Sequence, residues 1–406
     1  MNTNSKDLDL IAESLEAYPE QDPRVRTTLY PKQNESPAEG SDDTSDLDQV
    51  EKQSTDNLPE LSASLSSTRG QTLSGRKRFH LVHQVGEGSF GLVWEATDND
   101  LNRSVAIKEF KGTEAKAKQR CQDEIRYIGQ LDHPSVPTIY DTAFTDGGVP
   151  YVVMKLLEGQ TLGEIIRLLK EGDLATHKKY TFEKRVMLII QLLRAVKASH
   201  HAEILHRDIK PGNVLVNPDG HLWLIDWGCA VKLSDVKENS SFCGTPLYMA
   251  PEQILCRGLT PASDLFAVAG VAYELMSLHI SGPKCSSVRE TVIATLDHQP
   301  PYFDHLYHES QGYPPSEFSL IIMQALNRQV ELRPQSADEM IVWLEGALSG
   351  EIEVICDRTR LKHLMCSLMA WVNRDPIPRL KLLKMGLALS ILGCLFIGGV
   401  CSALIF

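Results

Sequence analysis

Residues 206–216, His-Arg-Asp-Ile-Lys-Pro-Gly-Asn-Val-Leu-Val, set a carboxylate, an ammonium and a carboxamide within six positions. They stand in a turn-rich run that leads into an apolar strand. Those three groups suit phosphoryl transfer. Asp208 can accept the proton of an attacking hydroxyl, Lys210 can neutralise charge on the moving group, and Asn213 can offer a side-chain oxygen to a magnesium ion. The plain alternative makes Asp208 and Asn213 ordinary turn formers. A second acid follows in Leu-Ile-Asp-Trp-Gly-Cys-Ala, 224–230, again after an apolar strand. Asp226 reads as a metal ligand, as the remnant of a lost site, or as a residue in a tight turn.

Upstream, Gly86, Gly88 and Gly91 give the spacing G-x-G-x-x-G within Val85, Gly86, Glu87, Gly88, Ser89, Phe90 and Gly91. Dinucleotide-binding loops share that spacing but lead into a helix. Here Leu-Val-Trp-Glu-Ala-Thr continues as a second strand, so the expectation is a hairpin whose glycines let backbone amides approach phosphates. Lys108, in Val-Ala-Ile-Lys, lies 15 residues past Val93. After that glycine run it reads as a phosphate ligand rather than a solvated edge lysine. Such a lysine needs an anion to orient it when empty. Glu124, on the next expected helix, is the candidate, with Ile125 and Ile128 flanking the inward face. Asp123 falls on the other side.

The elements that must hold these groups follow from periodicity. Apolar residues alternate from about Phe79, strands are expected at 104–110 and 150–157, and helical spacing runs over 114–131. A long apolar-periodic helix is expected over 182–202, then strand pairs, a long loop, and helices to about 348. Strands first and helices later imply an α+β chain with a small sheet-rich lobe before a helical one. With 42% hydrophobic residues, the 406-residue chain can fill a large core. The net charge of −12 argues against nucleic-acid binding by bulk electrostatics. Residues 1–75 hold 15 acids and 6 bases, so −9 of that charge lies there and −3 in the remainder. That stretch has little to bury and is expected to be a disordered acidic tail. Nine cysteines occur without a CxxC pair or metal-ligand spacing. The expectation is free thiols in a reducing cytosol, Cys121 and Cys243 among them, with a redox role for Cys243 as the alternative.

Residues 349–385 form a connecting piece. Leu361, Leu364, Met365, Leu368, Met369 and Val372 share one helical face, fitted to packing on the preceding domain or to a membrane surface. Residues 386–406 carry no charge. As a helix they would span about 31 Å, the thickness of a bilayer's hydrocarbon core. Arg374, Arg379, Lys381 and Lys384 precede them, placing the N-terminal side in the cytoplasm. A single transmembrane helix is therefore expected, with no domain beyond it. A shortened form of a longer receptor is the alternative.

The motifs occur in a fixed order: Gly-Glu-Gly-Ser-Phe-Gly, Val-Ala-Ile-Lys, the helix Glu124, His-Arg-Asp-Ile-Lys-Pro-Gly-Asn, Asp-Trp-Gly, and Gly-Thr-Pro-Leu-Tyr-Met-Ala-Pro-Glu. From about Phe79 to Leu348 the chain resembles a eukaryotic-type (Hanks-type) serine/threonine protein kinase, and is similar to bacterial membrane-anchored members. The resemblance implies a bilobal protein kinase fold over 76–348, with a β-rich N-lobe and a larger helical C-lobe. It implies ATP and Mg2+, with Mn2+ as the alternative ion, and protein substrates bearing Ser or Thr. Asp208, Lys210 and Asn213 would be catalytic, and Asn213 and Asp226 would hold the metal. Residues 85–91 and Lys108 would hold phosphates, oriented by Glu124. Val93, Ala106 and Leu215 would sandwich adenine, with Met154 behind it and the backbone of Lys155 to Leu157 pairing the base. Thr245 would touch Asp208 and Lys210, Asp264 would anchor the catalytic-loop backbone, and Glu252 would pair with Arg333.

Three departures qualify the resemblance. Gly212 replaces a frequent Glu, so a preference for basic substrates loses its carboxylate. Trp227 replaces the usual Phe, and its ring can supply the same packing area while asking for one more hydrogen bond. Cys229 is uninformative on Ser against Thr. Arg207 beside the catalytic Asp implies an anionic partner, expected as a phosphate on Ser240 or Ser241. Lys108, Glu124, Asp208, Asn213 and Asp226 are all present, which favours an active kinase over a pseudokinase scaffold or a membrane adaptor. The implied location is a membrane, a bacterial inner membrane above all, with the kinase domain in the cytoplasm. A homodimer through the kinase lobe or Gly-Cys-Leu-Phe-Ile-Gly-Gly stays open, because Gly393, Gly398 and Gly399 make no clean GxxxG.

Overall fold

The computed structural model describes residues 78–88, 91–111, 115–145, 150–236, 242–283 and 285–351. The acidic tail, most of the connecting piece, the apolar segment 386–406, and Ser89, Phe90, Ser240 and Ser241 lie outside the described residues. Among the described residues no helix is long and apolar enough to cross a membrane.

Strands β1 (Phe79–Gly88), β2 (Gly91–Asp98), β3 (Arg103–Phe110), β4 (Ile139–Phe144) and β5 (Pro150–Lys155) form an antiparallel sheet in the order β1-β2-β3-β5-β4. The two-residue period of β3 explains its apolar run. Val105 and Ile107 join Leu81, Ala96, Tyr151 and Val153 on one face. Ala106 and Phe110 point to the other, where Val85, Val93, Val152 and Met154 gather. Gly91 is required by close approach, since a Cβ there would run into the Glu109 carbonyl oxygen of the paired strand. Helix α1 (Ala115–Gly129) lies across this second face and contributes Cys121 to its apolar cluster.

The larger lobe is built on helices. It contains α2 (Leu162–Lys170), α3 (Leu174–Lys179), α4 (Phe182–His201), α5 (Pro251–Ile254), α6 (Pro261–Ser277), α7 (Val288–Asp297), α8 (Ser316–Ala325) and α9 (Ala337–Ser349). Its core wraps α4 and α6. In α4 the buried Val186, Ile189, Leu193 and Val196 recur at helical spacing. Thr161 starts α2 with a reciprocal cap, its hydroxyl accepting from Glu164 N while the Glu164 carboxylate accepts from Thr161 N. Gly350 ends α9 in the left-handed region at φ 75°. Short strands β6 (Gln160–Thr161), β8 (Val214–Val216) and β9 (Leu222–Leu224) make one small sheet, and β7 (Ile204–Leu205) with β10 (Val231–Lys232) another. These small sheets lie at the junction of the lobes and present the loops between them.

Glu252 on α5 is tied to Arg333 by two parallel hydrogen bonds, Nη1 to Oε1 at 2.7 Å and Nη2 to Oε2 at 2.9 Å. The Arg333 side chain is 0% exposed, so its charge has no access to water. Ser263 Oγ adds a 2.6 Å bond to the same carboxylate from α6. Removing one member leaves the other buried and uncompensated, a loss of about 3 kcal/mol. Glu252→Ala should therefore lower the stability of the helical lobe by about that amount, read as a shifted urea midpoint. An unchanged midpoint would count against a structural role for the pair.

Candidate active site

The loop between β7 and β8 carries Asp208, and one buried acid fixes its path. Asp264, in the first turn of α6, accepts from the backbone N–H of His206 and of Arg207, both at 2.9 Å, and contacts His200 Nε2 at 2.9 Å. Burial pushes this carboxyl up, but the hydrogen bonds and the two histidines outweigh it and hold it below the usual range. Arg207 turns left-handed at φ 68°, which reverses the chain into the Asp208 position. Gly244 packs against this turn at φ 128°, where a Cβ would stand 2.5 Å from the Arg207 carbonyl oxygen.

Four polar side chains converge there. Asp208 Oδ1 accepts from the Thr245 hydroxyl at 2.7 Å, and Asp208 Oδ2 lies 3.0 Å from Lys210 Nζ. Lys210 Nζ also donates to Thr245 Oγ1 at 3.0 Å. Asn213 ends a single 3-10 turn, Pro211–Asn213, and donates its amide to the Asp208 carbonyl at 2.8 Å and to Asp208 Oδ2 at 3.1 Å. Its amide nitrogen is thus committed, while its buried Oδ1 has no protein partner.

A second cluster joins the lobes. Lys108 Nζ on β3 donates to Glu124 Oε1 on α1 at 2.5 Å and to Asp226 Oδ1 at 3.3 Å. All three side chains are buried. Burial alone would lower the Lys108 ammonium, yet the two carboxylates overcome it and raise it, so it stays charged. Burial likewise pushes Asp226 up, and Lys108 and Lys210 pull it below the carboxylate norm. Asp226 itself sits at φ 62°, which aims its carboxylate back toward β3. Asp123, the neighbouring acid, instead faces Gln119 and Arg126 on the outer side of α1.

Beside these charges lies an apolar cleft. Val85, Val93, Ala106, Met154, Leu157 and Leu215 pack together across the lobe junction. Ala106 and Leu215 are 0% exposed, at the meeting of β2, β3 and β8. This composition suits a planar ring, with backbone groups of the segment after Met154 supplying polarity. Gly86 and Glu87 lie on β1 at the rim, and Lys111 reaches Glu87 at 2.5 Å. A divalent cation fits the donor set present. Asn213 Oδ1 is a buried oxygen with no partner and Asp226 is an ionised carboxylate, both hard oxygen ligands of the kind magnesium takes.

Among the described residues, Trp227 is the largest fully buried side chain. The extra hydrogen bond that an indole demands is met by the Leu224 carbonyl at 3.2 Å. Its ring packs on His206 at a centroid distance of 4.5 Å. His206 accepts at Nδ1 from the Asp208 backbone N–H, and burial lowers its pKa below 6.5.

Some functional contacts were not legible from motifs. Gln253 donates to the Arg207 carbonyl at 2.6 Å and to the Cys243 carbonyl at 2.8 Å, joining the two chain segments that flank Asp208. Only its place directly after Ala-Pro-Glu pointed to it. Cys243, expected as a free thiol, is instead in a disulfide with Cys229, with Cα atoms 5.8 Å apart. A separation of 14 residues carries no sequence signal. The pairing arises because the turn after Trp227 and the segment before Gly244 return to the same place. Cys121, Cys256 and Cys285 are free thiols.

Two outcomes follow from the Trp227 and His206 packing. Trp227→Phe removes the donor to Leu224 O at a cost of about 1 kcal/mol in folding. It should keep kcat/KM for phosphoryl transfer within about tenfold, since the carboxylate chemistry is untouched. Loss of all activity would mean that the indole does more than pack. A ring whose pKa is depressed in the fold contributes stability above the ordinary histidine value of 6.5 and loses it as pH falls through the depressed value. Thermal midpoints of the wild type should thus fall as pH drops below 6.5, and His206→Asn should fall less steeply.

The sequence profile of the protein kinase domain matches residues 79–341. A probable serine/threonine-protein kinase of Streptomyces coelicolor is 29% identical over 290 residues, covering 68% of this chain and 40% of that protein. The serine/threonine-protein kinase PknA of Mycobacterium tuberculosis is 34% identical over 222 residues, 52% of this chain and 49% of PknA. PknL of the same species is 30% identical over 244 residues, 56% of this chain and 59% of PknL. The chain thus spans about half the length of these curated relatives. With the profile covering most of the chain and the site assembled as above, the chain belongs to the protein kinase family, in its eukaryotic-type serine/threonine group.

Proposed function

We propose that this chain is an active serine/threonine protein kinase that moves the terminal phosphoryl group of ATP to a Ser or Thr hydroxyl. The observation that carries the reading is the joint arrangement of Asp208, Lys210 and Thr245 within 3.0 Å of one another, beside the buried orphan oxygen of Asn213. In this reading the adenine ring enters the slot of Val93, Ala106 and Leu215. Lys108, held by Glu124, meets the phosphates under the glycine hairpin. Asn213 and Asp226 would hold a magnesium ion, which would supply charge neutralisation on the phosphates. Asp208 orients the acceptor hydroxyl and takes its proton as the new P–O bond forms and the bond from the γ-phosphorus to the β,γ-bridging oxygen breaks, with ADP as the leaving group. Lys210 stabilises the charge on the group in transit, and Thr245 fixes both side chains.

The purified chain with magnesium-ATP should phosphorylate itself or a generic protein acceptor. Asp208→Asn should reduce the rate by at least about 10³-fold while leaving ATP binding in place. Equal silence of wild type and variant, with ATP still bound, would establish a scaffold instead.

We also infer regulation and tethering. A phosphate on Ser240 or Ser241 would meet the Arg207 guanidinium, whose pKa burial has lowered, so that an added dianion nearby would offset its desolvation. Mass spectrometry of active protein showing no phosphate between Ser234 and Thr245 would sink that assignment. The uncharged run 386–406 with its basic flank supports insertion in a bacterial inner membrane, with the kinase domain on the cytoplasmic side. Deleting 386–406 should move the protein from the membrane pellet to the supernatant. Retention in the pellet would overturn tethering by that segment.

A further inference from the structure

The Cys229–Cys243 bond joins the two sides of the catalytic centre. Cys229 follows Asp226, Trp227 and Gly228, and so hangs from the turn that carries the metal carboxylate. Cys243 precedes Gly244 and Thr245, and so hangs from the segment that touches Asp208. Three contacts fix the second anchor. Gln253 holds the Cys243 carbonyl, Gly244 packs on the Arg207 carbonyl, and the Thr245 hydroxyl donates to Asp208 at 2.7 Å. The first anchor is fixed by the buried Trp227 and by the ion pair of Asp226 with Lys108. The bond therefore adds a covalent tie between the metal side of the site and its acceptor side.

We propose that Cys229 and Cys243 form a thiol–disulfide exchange site through which a protein or small-molecule dithiol sets the rate of phosphoryl transfer, the bonded form being the faster one. The inference rests on the kinase reading above. The direction comes from the structure, in which the bond coexists with the assembled Lys108–Glu124 pair and the Thr245–Asp208 contact. Access is one-sided. Cys229 is 5% exposed, whereas Cys243 is partly exposed, so an attacking thiolate reaches Cys243 Sγ. That attack forms a mixed disulfide at Cys243 and expels Cys229 as a thiolate, which takes up a proton. The second thiol of the dithiol then attacks its own sulfur in the mixed disulfide, releasing Cys243 as a thiolate that is protonated in turn. In net terms two electrons and two protons pass from the dithiol to the protein, and the dithiol leaves as its disulfide. An oxidised dithiol or oxidised glutathione reverses the exchange. In a reducing compartment a bond of this kind is transient and suits sensing better than stabilisation.

The test uses the full chain equilibrated with oxidised glutathione or with dithiothreitol, then assayed with casein as acceptor. Peptide mapping of the oxidised sample should show one linked pair containing Cys229 and Cys243. Reduction should lower kcat/KM for casein about fivefold, with KM for ATP unchanged within about twofold. Cys229→Ser and Cys243→Ser should each show the reduced-form rate under both conditions. Absence of the linked pair, equal rates in the two forms, or a faster reduced form would each overturn the proposal. An Asp208→Asn variant as active as the wild type in both forms would instead overturn the kinase reading, while the linked pair would still report on the exchange site.

Discussion

One buried cation holds the two lobes in a working relation. Lys108 comes from the sheet of the small lobe, Glu124 from the helix laid over that sheet, and Asp226 from the far side of the lobe junction. All three side chains are largely buried, so none can be left alone without much of the desolvation penalty of a buried charge. The penalty is avoided only when all three meet. The position of α1 against β3, the left-handed turn at Asp226 and the closure of the lobes are thus conditions on a single electrostatic arrangement. Two carboxylates for one ammonium also leave a net negative charge in the cluster, which a divalent cation would offset.

A comparable economy holds one layer deeper. Asp264 serves the loop backbone rather than any reactant. By accepting two successive N–H groups it pins Arg207 in a conformation that residues with a Cβ rarely adopt, and the turn sets the direction of Asp208. Gly244 is there because no other residue can lie so near the Arg207 carbonyl at that φ. The geometry of the reacting groups is therefore inherited from contacts made by groups that never touch a substrate.

Much of this was readable from the chain because phosphoryl transfer demands particular atoms at particular separations. Asp208, Lys210 and Asn213 must share one short loop. Lys108 must follow a glycine hairpin, and an acid must face it from a helix. Elements were legible where period and composition agreed, as in β3 with its two buried faces and α4 with its apolar stripe. The departures have equally physical causes. The Cys229–Cys243 pairing depends on how two distant turns return to one point, which spacing along the chain does not encode. Gln253 acts through its amide on two carbonyls, and a glutamine after a helix start looks like any polar surface residue until those carbonyls are placed. The small sheets at the lobe junction have two or three residues per strand, too short for any periodic signal.

Trp227 carries a consequence for the recognition of small molecules. A ligand that reached past the apolar cluster of Val93, Ala106 and Leu215 toward Asp226 would have to displace the ring that follows that carboxylate. Here that ring is an indole, 0% exposed, hydrogen-bonded to Leu224 and packed at a tilt against His206. Withdrawing it would bare roughly 200 Å2 of apolar surface, about 5 kcal/mol at about 25 cal/mol per Å2, and break the bond to Leu224 besides. A smaller phenyl ring leaves its seat at lower cost. Compounds that need the ring moved should therefore meet a resistance set by this one side chain.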